Sequence, residues 1–528
     1  MSSLLRSNLV VASGTAMSRL SGLARWFVFA YVIGQTALAD AYVLANETPN
    51  IVYDLLLGGV LSATLVPLFT SFAATGDDDE GDDHATNVVI TVAVTLMVAL
   101  TAVAVVVAPL VFRLYSLDVA DEVDVELFRQ VGTTLARIFL IQILFYGLTG
   151  IANAYLNSRR RFVAAAWSPV LPNLIIILTL LSLPGAGSTE YGLQDVVDDS
   201  RVRWTLGLGA TLGIAAMAIT VVPAMVAAGL RFRPSWEWKH PAVRRLLVLS
   251  GWTIGFVIAN QIAVVVIRNL ANAEGEGILT AYVQAFTWFV LPHGLLAVSI
   301  STTFQPELAR AVKARDQGAF VHHASLGTRL IALLTLPAAA GMFVLRRPII
   351  GLMQRGQFDA NDLTNTAEAL AGLALGLVGF SIYLFVLRGF YAHQDTRTPF
   401  VLNVGENLLN IVLAFVFVSR WGVLGLGLSY AIAYLVSSVW ALNVLSYKVP
   451  SFRVRDVVGG MWKMLLAAVL MAEAMWFVTK GVDSDVGWSG IAQVVIGGTV
   501  GVIVYVAVLV AVNADEMSWL QRRLRRSG

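Results

Sequence analysis

The chain alternates long apolar runs with short polar turns, and the runs are of membrane length. A helix rising 1.5 Å per residue needs roughly 20 apolar residues to cross a bilayer core. Runs of that kind lie near 8–33, 43–72, 86–112, 128–157, 162–183, 205–230, 246–273, 279–304, 324–345, 363–391, 399–418, 422–447, 457–479 and 488–512. Backbone N–H and C=O groups must be satisfied internally in lipid, so continuous runs this long predict helices. The pattern predicts an all-α polytopic membrane protein with about 14 transmembrane helices.

Composition agrees with this pattern. Hydrophobic residues make up 57% of the 528 and charged residues only 13%, about half of what a soluble domain carries. A surface so poor in charge needs lipid as its solvent. The formal charge of +2 argues against a nucleic-acid partner, which requires a concentrated basic face. With no cysteine, thiol catalysis, thiolate metal sites and disulfides are excluded. The adjacent His322 and His323 read as a solvated loop pair, so no metal is expected. Ala37-Leu38-Ala39 imitates a signal-peptide cleavage site, but Arg19 and Arg25 interrupt the apolar stretch before it, so the first run reads as a retained span.

Loop Lys and Arg fix the expected orientation. With an even number of spans both termini share one side, and the loops on that side are the more basic. Arg159-Arg160-Arg161 and Arg522-Arg523-Leu524-Arg525-Arg526 mark it most clearly. Both termini are therefore expected in the cytoplasm of a multi-pass protein. The acidic run Asp77-Asp78-Asp79-Glu80-Gly81-Asp82-Asp83 reads as a solvated loop on the same side, since acidic residues weigh little in this rule.

Two halves share a pattern. Asn153-Ala154-Tyr155 precedes a basic turn and a span bearing Pro169 and Asn173. Six spans later Gly389-Phe390-Tyr391 precedes Arg397, Pro399 and Asn403. The expected organisation is a six-helix lobe over 1–230, a second over 231–447, and two further helices with a tail over 448–528. Repeated lobes are frequent in transporters, whose substrates sit where the repeats meet.

Charges inside the spans carry the chemistry, because an intramembrane ionisable residue is costly and tends to face a cavity. Arg19 and Arg25 stand on the first span with Gly22 between them, where a glycine permits a bend. A guanidinium bonds two phosphate oxygens at once, so an anionic phosphate ligand is one reading. Snorkelling or an ion pair with Asp40, Glu47 or Asp54 is the other. The second span carries Glu47, Pro49, Asn50, Tyr53, Asp54 and Gly58-Gly59, which predicts a bent or broken helix lining a cavity or a tight helix crossing. Arg268 and Arg137 lie within other spans, and Arg388 is near enough to a span end to snorkel. Asn403, Glu406, Asn407 and Asn410 are spaced three and four apart and form one polar stripe. That stripe either holds a small cation or hydrogen-bonds neighbouring helices. There is no phosphate-binding loop for ATP, no His-Glu-x-x-His and no Gly-x-Ser-x-Gly, so no enzyme motif is found.

Ser18-Arg19-Leu20-Ser21-Gly22-Leu23-Ala24-Arg25 resembles the first-helix signature of the MurJ (MviN) lipid II flippases. Asp40-Ala41, Asn46, Pro49-Asn50, Gly58-Gly59-Val60-Leu61-Ser62 and Leu65-Val66-Pro67 resemble their second-helix region in an actinobacterial form. Gly389-Phe390-Tyr391, Gln394-Asp395 and Thr398-Pro399 are similar to their link between helices ten and eleven. The resemblance runs over essentially the whole chain. It implies a MOP-superfamily exporter with a MATE-like fold, two lobes around a cationic cavity and a groove for a polyprenyl tail on the last two helices. It implies a bacterial inner-membrane flippase that moves undecaprenyl-pyrophosphate-linked peptidoglycan precursor, lipid II, to the outer leaflet by alternating access, without covalent chemistry or a cofactor. The diphosphate would meet Arg19 and Arg25, with Asn50, Tyr53 and Arg268 as further binding residues. Asp40, Gly22 and Pro49 would serve the gate. Membrane potential or a sodium or proton gradient would supply energy, and lipid II, membrane lipids and the cell-wall synthesis machinery would be the partners.

The chain departs from the family at two places. Tyr53 and Asp54 stand where well-studied members carry a second-helix arginine, and Thr287, before Pro292, stands where they carry one on the eighth helix. Arg268 is the candidate replacement. An exporter of another lipid-linked oligosaccharide stays open as an alternative. A drug–cation antiporter would need an acidic cavity, and a membrane-embedded enzyme would need turnover chemistry that no motif supplies.

Overall fold

The computed structural model describes residues 3–55, 65, 69–70, 79–159, 161–482 and 484–513. The side chains of 3–9, 12, 51–55, 79–83, 242 and 244–257 lie outside the described set, and with them Tyr53 and Asp54; Gly58, Gly59, Ser62 and Pro67 lie outside it altogether. The described residues are almost wholly helical. In chain order the helices are α1 (Ser3–Ile33), α2 (Ala37–Leu55), α3 (Asp79–Tyr115), α4 (Val125–Leu140), α5 (Gln142–Ser158), α6 (Val163–Trp167), α7 (Val170–Leu181), α8 (Leu193–Asp198), α9 (Ser200–Ala227) and α10 (Pro241–Ala273). The second half continues with α11 (Ile278–Pro292), α12 (Val298–Lys313), α13 (Gln317–Val344), α14 (Arg346–Gly351), α15 (Ala360–Ala374), α16 (Leu377–Ala392), α17 (Arg397–Lys448), α18 (Val454–Val458), α19 (Met461–Thr479) and α20 (Gly487–Ala511).

Among the described residues, nine helical stretches are long and apolar enough to cross a bilayer. The pair α15 and α16, bent by 48° at a short break, makes a tenth candidate. Where the described residues allow the comparison, the predicted ends lie within nine residues of the observed helices, and the second run, 43–72, is described continuously only to Leu55. Several departures have local causes. The fourth run is two helices, α4 and α5, separated at Ile141. The tenth run is the bent pair. The eighth is broken by a wider π turn at His293–Ala297, immediately after Pro292, whose ring cannot supply the N–H that a regular turn requires. His322 and His323, expected in a loop, lie on α13, because that helix starts at Gln317 with Asp316 capping it through Ala319 N–H.

The eleventh and twelfth runs are two helical arms joined directly at Gly422, 52 residues in all. A straight helix of that length would extend about 78 Å, more than twice a hydrocarbon core. The helix instead reverses at Gly422, where φ is 50° and ψ −133°. That backbone is open to glycine and strained for other residues. Two contacts show the hairpin: Ser429 Oγ donates to Asn410 Oδ1 at 3.1 Å, and Lys448 Nζ lies 2.6 Å from Asp395 Oδ2.

The chain divides into two compact units. The first comprises Met1–Val265 with Gly275–Gly277 and Arg355–Phe358, and the second Val266–Glu274, Ile278–Gln354 and Asp359–Gly528. In the first unit α1 packs on α7, α2 on α4, and α9 on α5 and α7. In the second, α17 packs on α15 and α16, α11 on α15, and α19 on α13 and α20. The apolar core of the second unit includes Phe320, Phe385, Phe390 and Phe452, all nearly fully buried. Many large apolar side chains point outward, among them Leu178, Ile219, Phe477 and Ile503, as expected of helices whose outer face meets lipid.

Candidate functional site

The first unit gathers polar side chains around the start of α2. The corner between α1 and α2 is turned by Gly34, with φ at 70°. Asp40, in the first turn of α2, is buried at 2% exposure, and its Oδ2 accepts the backbone N–H of Gly277 at 2.7 Å. The favour is returned: Glu276 Oε1 accepts the N–H of Ala37 at 2.7 Å. A carboxylate there satisfies a helix-end N–H and complements the positive end of the helix dipole. Gly277 has φ at 78°, and a Cβ on it would stand 2.3 Å from the carbonyl oxygen of Gln35. The segment Arg355–Phe358 grips the other arm of the corner, where Gln357 N–H donates to Tyr31 O at 3.0 Å. Two short segments from the second half of the sequence thus clasp the α1–α2 corner.

Further along the same pair of helices lie Arg25 and its neighbours. Arg25, half-buried on α1, stacks its guanidinium 5.6 Å from the ring centroid of Trp26. Tyr42, on α2, and Tyr146, on α5, lie within electrostatic reach of it. Tyr146 donates in turn to Asn50 Oδ1 at 2.9 Å. Rings of Trp26, Phe29, Tyr42 and Phe139 follow one another at centroid distances of 5.5, 5.2 and 5.1 Å. The arrangement is a cation with hydroxyl and amide partners against an aromatic wall, suited to a charged oxygen-rich group. The structure therefore brings together Arg25 and Asn50 of the expected residues, and adds Tyr42 and Tyr146, which sequence reasoning missed. No spacing signal singled them out among the aromatics of their spans.

The other expected residues fall as follows. Arg19 is half-buried on α1, where its neighbour Ser18 accepts from Asn173 Nδ2 through its carbonyl at 3.3 Å. Gly22 sits in an unbroken stretch of α1, with Asn173 Nδ2 3.6 Å from where its Cβ would be. The glycine thus faces a neighbouring amide rather than marking a break. Pro49 is likewise enclosed in the continuous helix α2, so the break expected there is not found within the described residues. Tyr53 lies on α2, with its side chain outside the described ones.

In the second unit, Arg268 stands 5.9 Å from the ring of Tyr282. Arg388 donates to Gln305 Oε1, and Arg137, on α4 of the first unit, is exposed. All four stripe residues of α17, Asn403, Glu406, Asn407 and Asn410, are buried. Asn407 Nδ2 donates to the carbonyl of Asn403 at 2.9 Å, and the hydroxyl of Tyr434 donates to Glu406. Thr287 Oγ1 donates to the carbonyl of Val283 at 3.0 Å. No cluster of three His, Asp or Glu side chains suited to a metal occurs among the described residues.

These features, long apolar helices in two units with half-buried cations and buried carboxylates among them, define a polytopic helical membrane fold. The same architecture occurs in a solved structure described as "Lipid II flippase MurJ, inward closed conformation", with a TM-score of 0.77, 23% identity, and coverage of 96% of this chain and 100% of that one. A MATE-family multidrug transporter of the MOP superfamily in its inward-facing conformation aligns with a TM-score of 0.66 at 15% identity, over 84% of this chain and 98% of that one. The chain thus shares the fold of these two solved proteins. The sequence profile of the family described as "Lipid II flippase MurJ" matches residues 29–489, and the chain belongs to that family. It is 26% identical to a probable lipid II flippase MurJ of Vibrio cholerae serotype O1, over 96% of this chain and 95% of that protein. It is 27% identical to the lipid II flippase MurJ of Burkholderia cenocepacia, over 83% and 82%.

Proposed function

We propose that this protein is a flippase that carries lipid II across the bacterial cytoplasmic membrane, from inner to outer leaflet, by alternating access of its two lobes. The observation that carries the reading is the match of the lipid II flippase family over residues 29–489. Family membership makes the protein a transporter, and its action needs no covalent step. Both termini are assigned to the cytoplasm from the basic loops on their side.

The chemistry of the site fits an anionic headgroup. Arg25 and Arg19 supply guanidinium groups for diphosphate oxygens. Tyr42, Tyr146 and Asn50 supply neutral hydrogen-bonding groups in the neighbourhood of Arg25. Arg268 supplies the further cation that the departures at Tyr53 and Thr287 call for. Asp40 and Glu276 hold the α1–α2 corner closed at one end, the role expected of a gate. A coupling cation, if one is used, would reside on the α17 stripe, where Glu406 offers a buried carboxyl beside the Tyr434 hydroxyl. Such a cation drives transport only by binding one state more tightly than the other.

Complementation of a MurJ-depleted bacterium tests the substrate, and transport of lipid II in reconstituted vesicles tests it directly. The wild-type chain is expected to rescue growth, Arg19→Ala and Arg25→Ala to fail while still inserting in the membrane. Failure of the wild type with correct insertion would point to an exporter of another lipid-linked oligosaccharide. Arg268→Ala with intact transport would refute its assigned role.

A further inference from the structure

The linker after α9 is an extended strap laid along α3. Gly229, with φ at 101°, ends α9, and residues 230–237 carry no helix. Pro234 lacks the N–H that a helix would need there. The strap is held by a ladder of polar side chains on α3 at four-residue intervals. Asn87 Nδ2 donates to the carbonyl of Arg231 and its Oδ1 accepts the N–H of Arg233, both at 3.1 Å. Thr91 Oγ1 accepts the N–H of Ser235 at 3.0 Å. Thr95 Oγ1 accepts from Trp236 Nε1 at 3.3 Å. The registers match physically: four helical residues rise about 6 Å, and two extended residues about 6.6 Å. Asn87 and Thr91 are buried under the strap.

An extended chain sends alternate side chains to opposite sides, and this sequence alternates. Phe232, Pro234 and Trp236 form one row and Arg231, Arg233, Ser235 and Glu237 the other, and Trp238 and Lys239 follow in the turn closed by His240 N–H on Glu237 O at 3.1 Å. Phe232, Trp236 and Trp238 are 46%, 63% and 50% exposed, and the three cations are exposed as well. The one acidic member is already engaged, with Glu237 Oε1 2.9 Å from His84 Nε2 and accepting from Ser235 Oγ. Trp236 reaches Thr95, in the apolar part of α3, while Glu237 and His240 return to His84 near the polar start of that helix. Amphipathic rings settle at the headgroup level of a bilayer, and Lys and Arg beside them attract anionic lipids.

We propose that the strap Arg231–Lys239 is a docking site for anionic phospholipid headgroups, with Phe232, Trp236 and Trp238 seated at the acyl boundary and Arg231, Arg233 and Lys239 on the phosphates. The occupant is a bilayer phospholipid rather than the transported lipid, because the strap's rings and cations are exposed, whereas Arg25 has other neighbours, Trp26, Tyr42 and Tyr146. It is independent of the proposed transport function.

The chain has no cysteine, so Trp238→Cys can carry a single bimane fluorophore on the full-length protein. In mixed vesicles, spin-labelled phosphatidylglycerol is expected to quench it severalfold more than spin-labelled phosphatidylcholine at equal mole fraction. Free glycerol phosphate is expected not to compete. The preference should vanish in the same labelled protein bearing Arg231→Gln, Arg233→Gln and Lys239→Gln, and weaken when Asn87→Ala and Thr91→Ala release the strap. Equal quenching by the two lipids would overturn the proposal. So would a preference that survives the triple substitution.

Discussion

Lys448 closes on Asp395 at 2.6 Å although 53 positions separate them, which places the last residue of α17 beside the turn that begins it. Burial alone would raise the Asp395 carboxyl. Hydrogen bonds from Lys448 Nζ and from the hydroxyl and N–H of Thr398, with the Lys448 charge, outweigh that and hold it well below the usual carboxylate range. A depressed acid stabilises the fold above its unfolded value, about 3.9, and the contribution is lost as pH falls through the folded value. Lys448→Met is therefore expected to cost about 1 kcal/mol at neutral pH. The difference from wild type should begin to shrink below about pH 4. Thermal unfolding of the two proteins in detergent across pH gives the comparison, and a gap that widens in acid would contradict the sign.

The Asp40–Gly277 bond predicts an ordered series. Asp40→Ala orphans a buried N–H and should cost about 1–3 kcal/mol, whereas Asp40→Asn keeps an acceptor oxygen and should cost less. Both should depress complementation in the same order. Equal melting temperatures for all three proteins would show that the bond contributes nothing to the clasp.

Gly277→Ala faces two obstacles at once, a positive φ and a backbone oxygen 2.3 Å from the new Cβ. Gly356 is alike, with φ at 63° and the Tyr31 carbonyl oxygen 2.3 Å from its Cβ. Either substitution should destabilise by about 2 kcal/mol or more. The readout is the yield of folded protein together with its midpoint of unfolding, and a neutral Gly277→Ala would refute the tight clasp.

Tyr146→Phe removes the bond to Asn50 and one hydroxyl beside Arg25 while keeping the ring. Stability should fall by about 1 kcal/mol, and lipid II transport in vesicles should fall by more than that loss explains. Arg25→Lys should not restore an Arg25→Ala defect, because an ammonium lacks the planar fork. Full transport by either variant would remove this cluster from the headgroup path.

Much of the architecture was legible along the chain, and the residues show why. Arg19, Arg25 and the stripe from Asn403 to Asn410 announced themselves as polar groups within apolar runs, since lipid makes every such group conspicuous. Tyr146 and Tyr42 did not, because an aromatic in a span is ordinary until it is seen within reach of Arg25. The strap at 231–239 was counted only as a basic loop, although its two-residue alternation was present in the sequence. What it lacked was the ladder Asn87, Thr91 and Thr95 on which to lie.

The sequence by itself determined that this is a membrane protein, where most of its helices run and which family it belongs to. Span length and hydropathy are sums over neighbouring residues, and lipid reads them one segment at a time. Only the tertiary structure decided that α17 turns back at Gly422, that Gly277 and Gln357 clasp a corner some 240 and 320 residues earlier, and that Arg25 meets Tyr42 and Tyr146. Those pairings are hydrogen bonds and electrostatic contacts between distant positions. They leave no periodic mark on the chain, and they exist only once the helices have packed.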